Sequence, residues 1–123
     1  MHTPALVVAV LGCVAIIVLG ARFLLAPRVA MSSFGIAADS PRAGNALTAI
    51  KGVRDIASGV VLLVVWAAAG TTPLGWALVA ASVTPISDAV IVRTNGGTLA
   101  HALGVHGLTA AVLIAAGLVL ALG

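Results

Sequence analysis

Asp55 and Asp88 are two of only three acidic residues in the 123-residue chain, and both stand beside or within apolar stretches. Asp55 belongs to KGVRDIASG (51–59), which also carries Lys51, Arg54 and Ser58. Asp88 belongs to PISDAVIV (85–92), with Thr84 just ahead of it, and HALGVHGLTA (101–110) contributes His101 and His106. Two carboxylates and a cation make a workable set for general acid–base chemistry. One carboxylate, ionised, removes a proton from an attacking group, and the other, protonated, donates to a departing oxygen. A cation between them orients both. Low dielectric and a neighbouring cation act oppositely on a carboxyl group's hold on its proton, so unequal surroundings can divide the two roles. In this reading Asp55 and Asp88 are the acid–base pair and Arg54 is the orienting cation. His106 is an additional hydrogen-bond donor or proton shuttle, Lys51 a supporting charge, and Ser58, Thr84 and His101 belong to the substrate-binding wall. The residue types do not decide which Asp is the acid.

Such a set works only if separate elements carry it to one place. The chain is 62% hydrophobic and 7% charged, whereas soluble domains carry about 25% charged residues. A spanning helix needs about 20 mostly apolar residues. Four segments qualify, near 4–25, 47–69, 73–94 and 98–122, within a single domain covering 1–123. The expected fold is an all-α, integral membrane four-helix bundle. A retained first helix is favoured over a cleaved signal peptide, because MHTP supplies no basic leader and the apolar run is long.

Alternating the spans sorts the charges. Arg22, Arg28, Arg42, Lys51, Arg54 and Arg93 all fall at one face, while the face with both termini and AGTTP has no Lys or Arg. The positive-inside rule makes the charged face cytoplasmic and both termini external, in the inner (plasma) membrane of a bacterium. Trp66 and Trp76 then lie near the outer interface, where indole rings are favoured. Residues 26–46 form a cytoplasmic connection in which Met31, Phe34 and Ile36 either rest on the headgroups as a flap or belong to a solvated linker. Asp39 and Ser40 precede Pro41 in an expected turn.

Counting inward from the charged face at about 1.5 Å per residue, Asp55 lies ~12 Å deep, Asp88 ~10 Å and His106 ~12 Å. Three ionisable groups on three spans therefore share one depth. Lys51, Arg54, Asp55 and Ser58 occupy a stripe of about 100° on span two, with Val53, Ile56, Val60, Leu63 and Val64 on its other faces. Asp88 continues a small-residue face with Ala77, Ala81 and Thr84, of the kind that lets helices approach closely. His106 shares its face with Ala102, Thr109 and Ala110, and on a regular helix His101 stands about 140° away from it. Pro85 removes one helix hydrogen bond and allows a kink before Asp88.

A blander account makes Lys51, Arg54 and Asp55 an interfacial ion cluster that sets topology, with Lys51–Asp55 as an i,i+4 pair. Asp88 and His106 fit that account less well, because no topology signal needs a carboxylate or an imidazole there, and ionisable groups within a membrane are candidate functional residues. Arg22, Arg28 and Arg42 are read as topology determinants and headgroup anchors, and Arg93 can reach outward or back towards Asp88. Cys13 is read as a small buried hydrophobe. No cofactor and no metal are assigned, since no metal-binding spacing is present and His101 and His106 diverge. No basic stripe interleaved with aromatics suggests nucleic acid. The expected partners are a lipophilic small-molecule substrate and membrane lipids, and small residues on spans three and four leave room for a homo-oligomer.

FLLAPRVAMSSFG (23–35), KGVRDIASGVVLL (51–63), PISDAVIV (85–92) and HALGVHGLTA (101–110) together resemble the family known as domain of unknown function 4267. The resemblance covers nearly the whole chain and implies a small four-span membrane protein. Some fungal relatives lie in polyketide pathways where epoxides are opened, which implies natural product chemistry of the epoxide hydrolase or cyclase (isomerase) kind. Limonene-epoxide-type hydrolases use an Asp–Arg–Asp set, an analogy of site and not of fold. The competing readings are a small proton-coupled multidrug-type transporter and a non-catalytic scaffold subunit. Such transporters carry their acid in the first helix, whereas span one here is apolar up to Arg22.

Overall fold

Apolar runs of this length become helices because every backbone polar group inside a bilayer must be satisfied within its own segment. The computed structural model describes residues 2–25 and 41–123, without the side chains of 41–46. Helix α1 spans His2–Leu25 and α2 spans Pro41–Ala69. The third span runs as α3 (Thr71–Ala81) and α4 (Val83–Thr94). The fourth begins with the short α5 (Leu99–His101), passes through a π-helical turn over Ala102–Gly107, and continues as α6 (Leu108–Leu122). Four helical stretches, His2–Leu25, Leu47–Ala69, Thr71–Thr94 and Leu99–Leu122, are long and apolar enough to cross a membrane. The molecule is an all-α four-helix membrane bundle.

Helix α2 starts at Pro41, so the last part of the 26–46 connection is helical. Proline at a first helical position fits because its missing N–H has no intrahelical partner there. The flap residues Met31, Phe34 and Ile36, the turn at Asp39–Ser40, and Arg28 lie outside the described residues, as does the side chain of Arg42. Spans two and three meet at Gly70, and spans three and four at Gly96. Both adopt positive φ (91° and 94°), which glycine takes without a Cβ clash. The third span is interrupted at Ser82 rather than directly before Asp88. Pro85 cannot donate to the Ala81 carbonyl and its ring crowds that carbonyl, so the break falls about one turn upstream. At the break Ser82 Oγ donates to the Val79 carbonyl at 2.6 Å.

Large apolar side chains cover the outside: Val7, Leu11 and Val18 on α1, and Val53, Val60 and Val64 on α2, are all exposed. Lipid is the solvent for such a surface, so the interior is held by close packing rather than by exclusion from water. Helices α1 and α2 run antiparallel with Gly20 against Gly52. A Cβ added at Gly20 would sit 2.5 Å from the Gly52 carbonyl oxygen. Gly75 and Gly117 bring α3 and α6 together in the same way. Around that second contact Ala5, Ala9, Cys13, Leu62, Leu74, Leu78 and Leu120 form the buried core. This core lies towards the end holding the termini. Towards the other end α4 packs on the π turn and α2 packs on α1, and a space opens between them.

Candidate functional site

That space is a cavity of about 310 Å³ lined by all four spans. Its inner walls are apolar: Cys13, Ile16 and Leu19 from α1, Leu62 from α2, Leu78 and Ala81 from α3, and Leu113 from α6. The polar lining residues are Arg22, Lys51, Asp55, Ser58, Thr84, Asp88, His106 and Thr109.

Lys51 is the hub. Its Nζ donates to both carboxylate oxygens of Asp55, at 3.2 Å to Oδ1 and 3.1 Å to Oδ2. The same Nζ lies 3.8 Å from Oδ2 of Asp88 on the neighbouring span. It also stands 5.2 Å from the centre of the Phe23 ring, within reach of a cation–π interaction. One ammonium thus joins two carboxylates from different helices over an aromatic face. The Asp55 side chain is buried, only 7% exposed, whereas the Asp88 side chain keeps 20% of its surface. Removing one partner of this part-buried cluster leaves the remaining charge in low dielectric without its counter-ion, which is unfavourable.

Arg54, expected between the carboxylates, is exposed and absent from the cavity lining. Helix geometry supplies the reason. Lys51 precedes Asp55 by four residues and shares its face, while Arg54 is the adjacent residue and points elsewhere. The central cation is therefore Lys51. Arg93 is exposed at the end of α4 and does not turn back to Asp88; among the described residues the ion pairs of Asp88 and Asp55 are with Lys51.

His106 is buried and lines the cavity. His101 is not in the lining, but the two imidazoles do not diverge: their ring centres are 6.0 Å apart. The i→i+5 step of a π turn carries residues five apart onto neighbouring positions, which a regular α-helix does not. Among the described residues, Nε2 of His101 is buried without a hydrogen-bond partner, and its backbone N–H donates to Thr98 Oγ1 at 3.0 Å. Ser58 and Thr109 line the cavity with hydroxyls committed to their own helices, donating to the Arg54 and Val105 carbonyls at 2.8 and 2.6 Å. Both remain available as acceptors. Six of the eight site residues expected from sequence, Lys51, Asp55, Ser58, Thr84, Asp88 and His106, thus line one cavity; Arg54 and His101 do not.

Among the lining residues without an expected site role are Arg22, Cys13 and Phe23. Arg22 was assigned to topology, Cys13 to packing, and Phe23 to nothing. The register that brings the end of α1 over Lys51 is a tertiary fact, and no spacing within α1 announces it. Among the described residues no cluster of three or more His, Cys, Asp or Glu is arranged to hold a metal.

A family model described as a domain of unknown function (DUF4267) matches residues 13–120, nearly the whole chain. The chain belongs to the DUF4267 family. Neither the curated proteins nor the solved structures contain a significant match. The DUF4267 match reaches into all four spans and includes every residue that lines the cavity except Gly12.

Proposed function

We propose that this DUF4267 chain is a membrane-embedded acid–base enzyme that opens the epoxide ring of a lipophilic small molecule. The observation that carries the reading is one ammonium, Lys51, shared by Asp55 and Asp88 at the edge of an apolar cavity. The cavity lies at the lower end of the ~300–1,000 Å³ range of ligand pockets. Its apolar walls suit a substrate that partitions into the membrane.

The two carboxylates divide the work by their contacts. Asp55, held through both oxygens by Lys51, is the ionised member and accepts a proton from the attacking water. Asp88, with one longer contact to Lys51, carries the proton that the departing oxygen receives. Water oxygen bonds to an epoxide carbon as the ring C–O bond breaks, giving a diol. Asp55 ends protonated and Asp88 ionised, and one proton returned from Asp55 to Asp88 resets the site, with His106 and Lys51 on the cavity wall to assist. Where the substrate carries its own hydroxyl, that group replaces water and the outcome is cyclisation. By the positive-inside rule the site belongs to the cytoplasmic leaflet.

The test is turnover. Purified chain in lipid nanodiscs is offered a panel of lipophilic epoxides, and diol or cyclised product is followed by mass spectrometry. Asp55→Asn and Asp88→Asn are each expected to lower turnover by roughly 10²–10⁴-fold, the usual contribution of a general acid or base. Turnover that survives both substitutions ends the acid–base assignment. Proton-coupled efflux from proteoliposomes that is lost with either Asp assigns the carboxylates to transport instead.

A further inference from the structure

We infer that the cavity selects lipophilic molecules bearing a single negative charge near the reacting end, and that Arg22 is the residue that binds this charge. The inference deepens the acid–base reading and rests on it for the charge balance of the site. Arg22 and Lys51 are the cations in the lining, and Asp55 and Asp88 the acids. Lys51 is committed to both carboxylates. Among the described residues Arg22 forms no ion pair, although it lines the same cavity. With Asp88 protonated, as the reaction requires, Lys51 and Asp55 cancel and one positive charge is left over, on Arg22.

The positions match this chemistry. Gly20 faces Gly52 and Ile56, and Gly52 faces Phe23, so Arg22 stands at the level of Lys51, about one turn nearer the charged end than Asp55. In the opposite direction, beyond Ser58, Thr84 and Thr109, the walls are apolar, through Leu62, Leu78 and Leu113. A ligand with an acid head and an apolar tail satisfies both ends at once: its tail fills the inner cavity and its head meets the guanidinium. The reactive group then falls between them, beside Lys51, Asp55 and Asp88. A planar guanidinium also matches a carboxylate through two parallel hydrogen bonds, a geometry that a lysine does not reproduce. The same chemistry would recognise the phosphate of a neighbouring lipid headgroup, so the experiment separates a bound acid from a lipid.

The measurement is binding, independent of any turnover. Wild-type chain in nanodiscs of zwitterionic lipid is titrated calorimetrically with dodecanoate and with dodecanol, and empty nanodiscs supply the partitioning background. Dodecanoate is expected to bind roughly tenfold more tightly than dodecanol, in keeping with a charge-assisted bidentate contact. Arg22→Gln should erase that preference while leaving dodecanol binding in place, and Arg22→Lys should retain part of it. Equal affinities for acid and alcohol in the wild type overturn the inference. So does a preference that Arg22→Gln leaves intact, or one that vanishes when the lipid is made anionic at constant dodecanoate activity, which marks Arg22 as a headgroup anchor. Dodecanoate preference without epoxide turnover sinks the reaction and keeps the acid site; turnover with equal binding does the reverse.

Discussion

Near the chain termini, Gly75 and Gly117 let α3 and α6 approach until backbone meets backbone, and Leu74, Leu78 and Leu120 fill the remaining space. Near the other end the same two spans carry Asp88 and His106, α2 carries Lys51 and Asp55, and a cavity of about 310 Å³ remains between them. Lipid tails are as apolar as leucine, so these helices are held together by close packing and by polar contacts between them. Small residues permit the close packing at one end. At the other end the long side chain of Lys51 bridges acids on α2 and α4 beside the open space. The space within this membrane bundle thus lies where glycine stops and charge begins.

At the closed end a single added methyl group is enough to disturb the packing. A Cβ added at Gly75 would lie 2.5 Å from both the Ala121 nitrogen and the Gly117 carbonyl oxygen. Backbone atoms cannot move aside as a side-chain tip can, so overpacking of about 1–3 kcal/mol or more outweighs the ~1 kcal/mol by which alanine favours a helix over glycine. Gly75→Ala is therefore expected to lower the melting temperature in detergent, and an unchanged or raised value would contradict the packing described. At the open end the opposite sign is expected. Gly12 lines the cavity, and a Cβ there would meet only Leu113, at 4.0 Å. Gly12→Ala should hold or raise stability by up to about 1 kcal/mol. It should also weaken binding of the bulkiest ligands by narrowing the cavity, seen as a rise in KM with kcat retained.

Much of the fold was open to a reading of the sequence, because four apolar runs separated by GTTP and NGG leave few alternatives for a chain with so little charge. The shared depth of Asp55, Asp88 and His106 followed from rise per residue alone, and all three line one cavity. The choice between Lys51 and Arg54 was also available, since the i,i+4 relation to Asp55 belongs to Lys51. Chemical analogy to an Asp–Arg–Asp set pulled the reading towards arginine instead. Two features had no local signal. The π turn that pairs His101 with His106 lies in ALGVHG, a stretch whose composition does not distinguish it from a regular helix. The placement of Arg22 over the cavity depends on how Gly20 and Gly52 set the register of α1 on α2.

If Lys51 joins the two carboxylates into one working site, two neutral substitutions on its helix should have very different effects. Lys51→Gln and Arg54→Gln remove equal charge from the same helix, three residues apart. Epoxide turnover is measured for each in nanodiscs, beside a wild-type control. Lys51→Gln is expected to lose roughly 10²-fold or more in kcat, on the scale of a lost general acid–base group, while Arg54→Gln stays within about twofold, as exposed positions usually do. The reverse order, or equal loss from both, would contradict the account.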